Sequence, residues 1–257
     1  MRIFLLTTAF ACLAAPSAAQ MTTTYTGTEA MGGKTVPASA QFSVENGRVA
    51  AIMKGSHTGR LIFDQKAQVL HIVSDDDKTY FDLDKSSAGR GGDQMQMMQA
   101  QLAKLPPEQR AMAEQMMKGV MSAAPPPLTY TQGTGTKTIA GYQCTMFEGM
   151  RGADKVTEYC GTTSSDFKMS DAERRTMLEM QGYLRNFTIM VKSSDDSMRA
   201  FQWDTTVDGY PVLTRCFRGG AMTLDLTLDG VNHKPIPNEV FEIPRGYKKQ
   251  DLGKMGG

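Results

Sequence analysis

Seven of the chain's twenty methionines lie between Met95 and Met121, the densest concentration of distinctive side chains in the sequence. A thioether is soft and polarizable, so such a cluster suits either Cu(I) ligation or an adaptable apolar contact surface. The spacings Met95-x-Met97-Met98 and Met112-x-x-x-Met116 can aim sulfurs at one soft ion. Copper sites usually recruit His or Cys as well, and His57, His71 and His233 are remote from the cluster in sequence. Plain packing of helices against a sheet therefore stands first among the readings of these residues, an apolar contact surface close behind it, and copper last.

The remaining polar motifs offer little chemistry. None of the three histidines has the spacing of a metal pair, and His71, between Leu70 and Ile72, reads as a strand residue. Gly55-Ser56-His57-Thr58-Gly59 carries His where a hydrolase elbow requires the nucleophilic Ser. Asp75-Asp76-Asp77 and Asp195-Asp196 lack the interleaved spacing of a calcium loop. Gly89-Arg90-Gly91-Gly92 lacks the Lys and Ser/Thr of a phosphate loop. With no nucleophile, acid/base pair or metal set, the sequence reads as a non-catalytic protein without a cofactor.

The elements that must position these residues fall into three blocks. From Thr22 to Asp84 short β-rich runs alternate apolar and polar residues, as in Val49, Ala51 and Met53, and Asn46-Gly47 is a favoured hairpin dipeptide. Ser86 to Gly92 is a flexible linker by composition. Met95, Met98, Leu102 and Leu105 then recur at helical steps, Pro106-Pro107 interrupts, and Met112, Met116, Met117, Val120 and Met121 line a second helix that stops at Pro125-Pro126-Pro127. Residues 92–124 thus read as a Met-rich helical insertion, a candidate lid. Strands resume at Leu128–Tyr130. Ser170-Asp171-Ala172-Glu173 is a capping box that opens a long amphipathic helix with Met177, Met180, Leu184, Phe187 and Val191 on one face. From Met198 to Ile243 strands return, joined at Asp208-Gly209, Gly219-Gly220 and Asp229-Gly230, and residues 248–257 read as a frayed tail. The predicted architecture is α+β: a strongly curved antiparallel sheet, an open half-barrel, with amphipathic helices packed against its concave face. It forms one domain over residues 20–247.

The compartment follows from the first residues. Arg2, the apolar run Ile3–Ala15 and the small residues Ser17-Ala18-Ala19 match a signal peptide cleaved after Ala19, and the run is too short to span a bilayer. Export to a bacterial periplasm is the expectation. Removing Arg2 leaves 27 basic and 27 acidic side chains, a neutral balance that argues against nucleic acid and against an anionic membrane surface. No second apolar span follows, so no integral membrane segment is expected after cleavage. In an oxidising compartment Cys144 and Cys160, flanking a hairpin-like segment, should pair. A turn centred on Gly152 would set them directly opposite each other, leaving Cys216 as a buried thiol.

Several segments carry a resemblance: Leu61-Ile62-Phe63-Asp64 leading to Lys78-Thr79-Tyr80, Leu105-Pro106-Pro107-Glu108-Gln109-Arg110, Gly141-Tyr142-Gln143-Cys144 with Glu158-Tyr159-Cys160, Gly209-Tyr210-Pro211-Val212, and Phe241 to Tyr247. Together the chain resembles the exported bacterial proteins of domain-of-unknown-function family 4412. That family is similar to the periplasmic lipoprotein-localisation carriers, which implies a curved sheet closed by helices over an apolar cavity and transfers no catalytic residue. The expected function is binding or carrying an apolar ligand, an acyl chain or the lipid of a lipoprotein. Met95, Met98, Leu102, Met112, Met116 and Val120 would form the lid. Met177, Met180, Leu184, Phe187, Phe201 and Trp203 would form the walls. The alternative is a non-catalytic envelope module that docks a protein partner, with Cu(I) binding third.

Overall fold

A computed structural model of the chain describes residues 20–84, 126–190 and 200–250, the side chains of 186–190 excepted. The candidate lid residues Met95, Met98, Leu102, Met112, Met116 and Val120 lie outside the described residues, as does the signal segment.

Six antiparallel strands run consecutively: β1 (Gln20–Met31), β2 (Lys34–Glu45), β3 (Arg48–Lys54), β4 (Thr58–Asp64), β5 (Val69–Ser74) and β6 (Thr79–Asp84). Their turns use the chemistry expected of tight hairpins. Asn46 and Gly47 both adopt positive φ, 50° and 75°, which matches the strand twist on either side. The second half comprises β7 (Leu128–Ile139), β8 (Tyr142–Arg151), β9 (Asp154–Thr162), β10 (Tyr210–Arg218) and β11 (Ala221–Asn232). The helix α1 (Asp171–Met190) lies between β9 and β10 in sequence. A 3-10 turn at Asn238–Phe241 and the two-residue β12 (Lys248–Lys249) follow.

All twelve strands belong to one sheet, ordered β12-β6-β5-β4-β3-β2-β1-β11-β10-β9-β8-β7. This corrects the α+β half-barrel expectation: the molecule is a single large, open, strand-dominated sheet with one α-helix among the described residues, not a strongly curved barrel lined by several helices. Alternating apolar residues specify that a strand has a buried face, but not how many strands share one ladder or whether the ladder curls. The decisive contact here is β1 with β11, from Thr22 opposite Asn232 to Glu29 opposite Leu224, which fuses the two halves edge to edge.

Three local expectations also change. Asp229-Gly230 is not a turn; β11 runs through it, and the register steps from Thr24–Gly230 to Tyr25–Leu228, leaving Asp229 as the extra residue of a bulge. Lys248 and Lys249 are not part of a frayed end, since they pair in parallel with Thr79 and Tyr80 at the sheet's edge. Cys144 and Cys160 do form a disulfide, with Cα atoms 5.4 Å apart. They are diagonal rather than directly opposite, because Cys160 faces Met146. A register shift between Gly149 and Met150 displaces the hairpin from a symmetric centre at Gly152, and the two-residue offset keeps both sulfurs on one face. Cys216 is buried and outside the disulfide, as expected.

Helix α1 begins as the capping box requires. The Glu173 carboxylate accepts from the Ser170 amide, and the Ser170 hydroxyl accepts from the Glu173 amide at 3.2 Å. Its apolar face packs on β2 and β3, in the first half of the sheet, although the helix is connected to strands of the second half. Met177, Met180 and Leu184 are buried there, Tyr183 packs on Phe63 with ring centroids 5.2 Å apart, and the Tyr183 hydroxyl donates to the Gln68 carbonyl at 2.9 Å. The core joins these to Met21, Phe42, Val49, Phe63, Leu224 and Leu226, so one apolar cluster spans both halves.

Asp195, Asp196 and residues 89–92 lie outside the described residues, and the described polar residues flagged in the sequence have structural partners. His71 Nδ1 lies 2.6 Å from an Asp82 oxygen, and Asp82 also meets Lys249 Nζ at 2.7 Å. Asp75 pairs with Arg60, and the Ser56 hydroxyl donates to Glu29 at 2.7 Å, anchoring the Gly55–Gly59 turn to β1. Across β9, β10 and β11 a charged row runs from Glu158 through Arg215 to Asp225, with Lys155 closing on Glu158 and Glu148. Burial pushes the Glu158 carboxyl up, but hydrogen bonds and charge from Lys155 and Arg215 outweigh it and hold the group below the usual Glu range. A carboxyl depressed in the folded state stabilises above its unfolded pKa and loses that contribution as pH falls through the folded value. Glu158→Gln should therefore cost about 1 kcal/mol near neutral pH, a figure reduced by the exposure of both cations. The difference from the unsubstituted protein should vanish in urea titrations at acid pH. A gap that persists below pH 3 would assign the effect to packing instead.

Candidate functional site

The predicted wall residues do converge. Met177, Phe201 and Trp203 meet Met21, Phe42, Phe167 and Tyr210 between α1 and the sheet. Phe201 packs edge-on to Phe42 at 4.9 Å, and Trp203 lies 5.7 Å from Tyr210. Met180 and Leu184 are fully buried beside them, while the Phe187 side chain lies outside the described residues. What they enclose is nearly solid: about 20 Å³ of free space remains, about one water's worth. These residues form the core beneath the helix, and no ligand-sized chamber lies among them.

Open space lies next door. A cleft of about 420 Å³ runs between the start of β7 and the end of α1, within the range of small-molecule sites. Its walls come from four places: Pro126, Pro127, Leu128 and Tyr130 before and on β7; Arg151 at the end of β8; Gln181 and Arg185 on α1; and Gln202 to Thr206 after the helix. Trp203 belongs to both the filled core and this cleft, so one indole seals the first and lines the second.

The register explains how these groups meet. Leu128 faces Arg151 and Tyr130 faces Gly149 across β7 and β8. A Cβ on Gly149 would lie 2.3 Å from the Thr157 methyl and 3.0 Å from the Tyr130 ring, so only glycine lets the tyrosine lie down on β8. The Tyr159 ring, 5.7 Å away and edge-on, fixes Tyr130 from the other side. Gln181 donates to the Phe201 carbonyl and Gln202 to the Leu184 carbonyl, tying the segment after the helix back to α1. Arg185 donates to the Thr205 hydroxyl at 2.7 Å. Asp204, the cleft's carboxylate, accepts from the Thr206 amide and hydroxyl at 2.9 and 2.6 Å.

Two polar atoms in this cleft are buried without a hydrogen-bond partner among the described residues: the Tyr130 hydroxyl and Arg151 Nε. Burial pushes the Tyr130 phenol well up, with nearby Tyr159 adding to it, so it remains a neutral donor throughout the physiological range. Sequence reading missed Tyr130, Arg151 and Arg185. Only the triple proline ahead of Leu128 marked the place; pairing Leu128 with Arg151 depends on a bulged register that no periodicity reveals.

A second opening of about 400 Å³ lies over β3 to β6, lined by Met53, Leu61, Ile72, Phe81 and Phe201 with His57 and Asp76 at its rim. Among the described residues no group of three or more His, Cys, Asp or Glu side chains could hold a metal ion, and no helix is long and apolar enough to cross a membrane.

The second half of the sheet, with α1 and the 3-10 turn, is the part for which relatives are recognised. Residues 128–247 match the model of the family described as domain of unknown function DUF4412. No curated protein matches the chain.

Proposed function

We propose that the protein is exported to the periplasm and works without catalysis, binding or carrying an apolar ligand, an acyl chain foremost. The observation that carries this reading is the 420 Å³ cleft beside α1, walled by Leu128, Pro126, Pro127 and Trp203, the last shared with the filled core. An open volume of that size beside a filled core supports a binding site, since protein interiors otherwise pack to the density of organic crystals. The reading moves the ligand from beneath α1, where the sequence put it, to the cleft at the helix's end.

Trp203 is the chain's single tryptophan, so its emission reports on the cleft directly. Titration with dodecanol should shift and saturate that emission, and Leu128→Asp should weaken binding by about tenfold or more through loss of an apolar wall. A flat titration, with no displacement of a fluorescent apolar probe, would sink the proposal.

A second reading, an envelope module that docks a protein partner, is supported by β7. This twelve-residue strand forms one edge of the sheet and is exposed along most of its length, the arrangement that accepts an added strand. Crosslinking in whole cells separates the two, because a docking module captures one protein and no lipid. Cu(I) binding rests wholly on methionines outside the described residues.

A further inference from the structure

Building on the cleft as an apolar-ligand site, we infer that the ligand is an amphiphile with an anionic oxygen headgroup, held by Arg151, Tyr130 and Arg185. The cleft is chemically two-ended. Leu128, Pro127 and Trp203 supply apolar wall, whereas Arg151 and Arg185 supply donors only and Tyr130 a hydroxyl that can donate. Two of those donors, the Tyr130 hydroxyl and Arg151 Nε, are buried and have no acceptor among the described residues. A buried donor left without an acceptor costs free energy that native structures rarely tolerate. What these two donors lack is an acceptor.

The charge balance decides what kind. Arg151 brings a guanidinium charge to the cleft, whereas Asp204, the carboxylate among the described lining residues, already accepts from Thr206 through both the amide and the hydroxyl. Another donor, such as an ammonium headgroup, would leave Arg151 Nε unsatisfied and add like charge. A carboxylate or phosphate oxygen satisfies both donors at once and neutralises part of the local charge, and charge-assisted bonds of this type are the strong ones. The Tyr130 ring is fixed between Gly149 and Tyr159, so its hydroxyl is held in place before the ligand arrives. The headgroup would thus sit at the β8 end of the cleft with the chain running past Trp203. A fatty acid and a phosphate monoester both present this chemistry.

The test compares laurate, dodecyl phosphate, methyl laurate and dodecanol by Trp203 emission, each below its critical micelle concentration, at pH 7.5. Laurate or dodecyl phosphate should bind about tenfold or more tightly than methyl laurate and dodecanol. Whichever of the two anions gains the larger advantage identifies the source of the headgroup. Arg151→Met should remove most of that advantage, and Tyr130→Phe, which keeps the ring, a smaller part of it. Dodecanol, whose neutral hydroxyl makes no charge-assisted bond, should lose much less affinity than the anions, and unchanged far-UV circular dichroism and melting temperature show that both variants are folded. If dodecanol binds and the anions gain nothing, water satisfies the donors and the headgroup assignment alone falls. If anions and dodecanol lose affinity equally in Arg151→Met, the arginine is structural and the assignment is likewise overturned. If no dodecyl compound binds, the apolar-ligand reading fails and this inference fails with it.

Discussion

Replacing Gly27 by alanine is expected to destabilise the protein by about 3 kcal/mol or more, at the upper end of overpacking costs. Gly27 sits in β1 between Ala38 of β2 and Leu226 of β11. A Cβ there would lie 1.8 Å from the Asp225 carbonyl oxygen and 2.8 Å from its carbon, both backbone atoms that no rotamer change can move. Alanine ordinarily gains slightly over glycine within a strand because it has less backbone freedom to lose, by about 0.5–1 kcal/mol, and the clash far exceeds that. The site matters because β1 and β11 are the seam of the sheet. Widening it separates the two halves and with them the core that α1 closes. Urea unfolding followed by far-UV circular dichroism should show a lower midpoint, and the Trp203 transition should move with it. A midpoint within error of the native protein would show that the strands separate without cost at this point.

The second large effect is loss of the disulfide. Cys144 and Cys160 are 16 residues apart in sequence, and closing such a loop restrains the unfolded chain by about 3 kcal/mol in the chain-entropy picture. The double variant Cys144→Ala/Cys160→Ala should therefore melt about 6–12 °C lower in scanning calorimetry, given the usual conversion for a protein of this size. Both sulfurs are buried, at 2% and 0% exposure, so native protein should resist mild reductant until it unfolds. The strands β8 and β9 that the bridge joins also carry Gly149, Arg151 and Tyr159, which shape the cleft. Ligand affinity should fall along with stability. An unchanged melting temperature would mean that the β8–β9 ladder alone holds the hairpin as tightly in the unfolded reference as in the native state.

Both effects bear on how the molecule is read. The disulfide was legible from spacing and the expected compartment, because two cysteines flanking a hairpin-like segment in a chain that reads as exported have one obvious partner each. Its register was not, since a bulge at Gly149–Met150 depends on what packs beneath the strand. Gly27 gave no signal at all. Nothing in Thr26-Gly27-Thr28 announces that a strand two hundred residues later will press against it. The same division runs through the site. Met177, Met180, Leu184, Phe201 and Trp203 were identifiable as one apolar set from helical steps and residue type. Periodicity reports which face is buried but is silent on whether the buried volume is occupied, and here it is.

Alone, the sequence determined the elements: the meander of short strands from Thr22 to Asp84, the capping box at Ser170 and Glu173, the helix behind it and the paired cysteines. These depend on interactions within a few residues, or across one turn, that local residue type encodes. Tertiary structure decided everything that rests on distant pairing. It joined β1 to β11 into one open sheet, turned the space under α1 into solid core, and assembled the cleft from Leu128, Arg151, Arg185 and Trp203. Such contacts bring together residues remote along the chain, and their geometry is set by register, bulges and packing that no local pattern records.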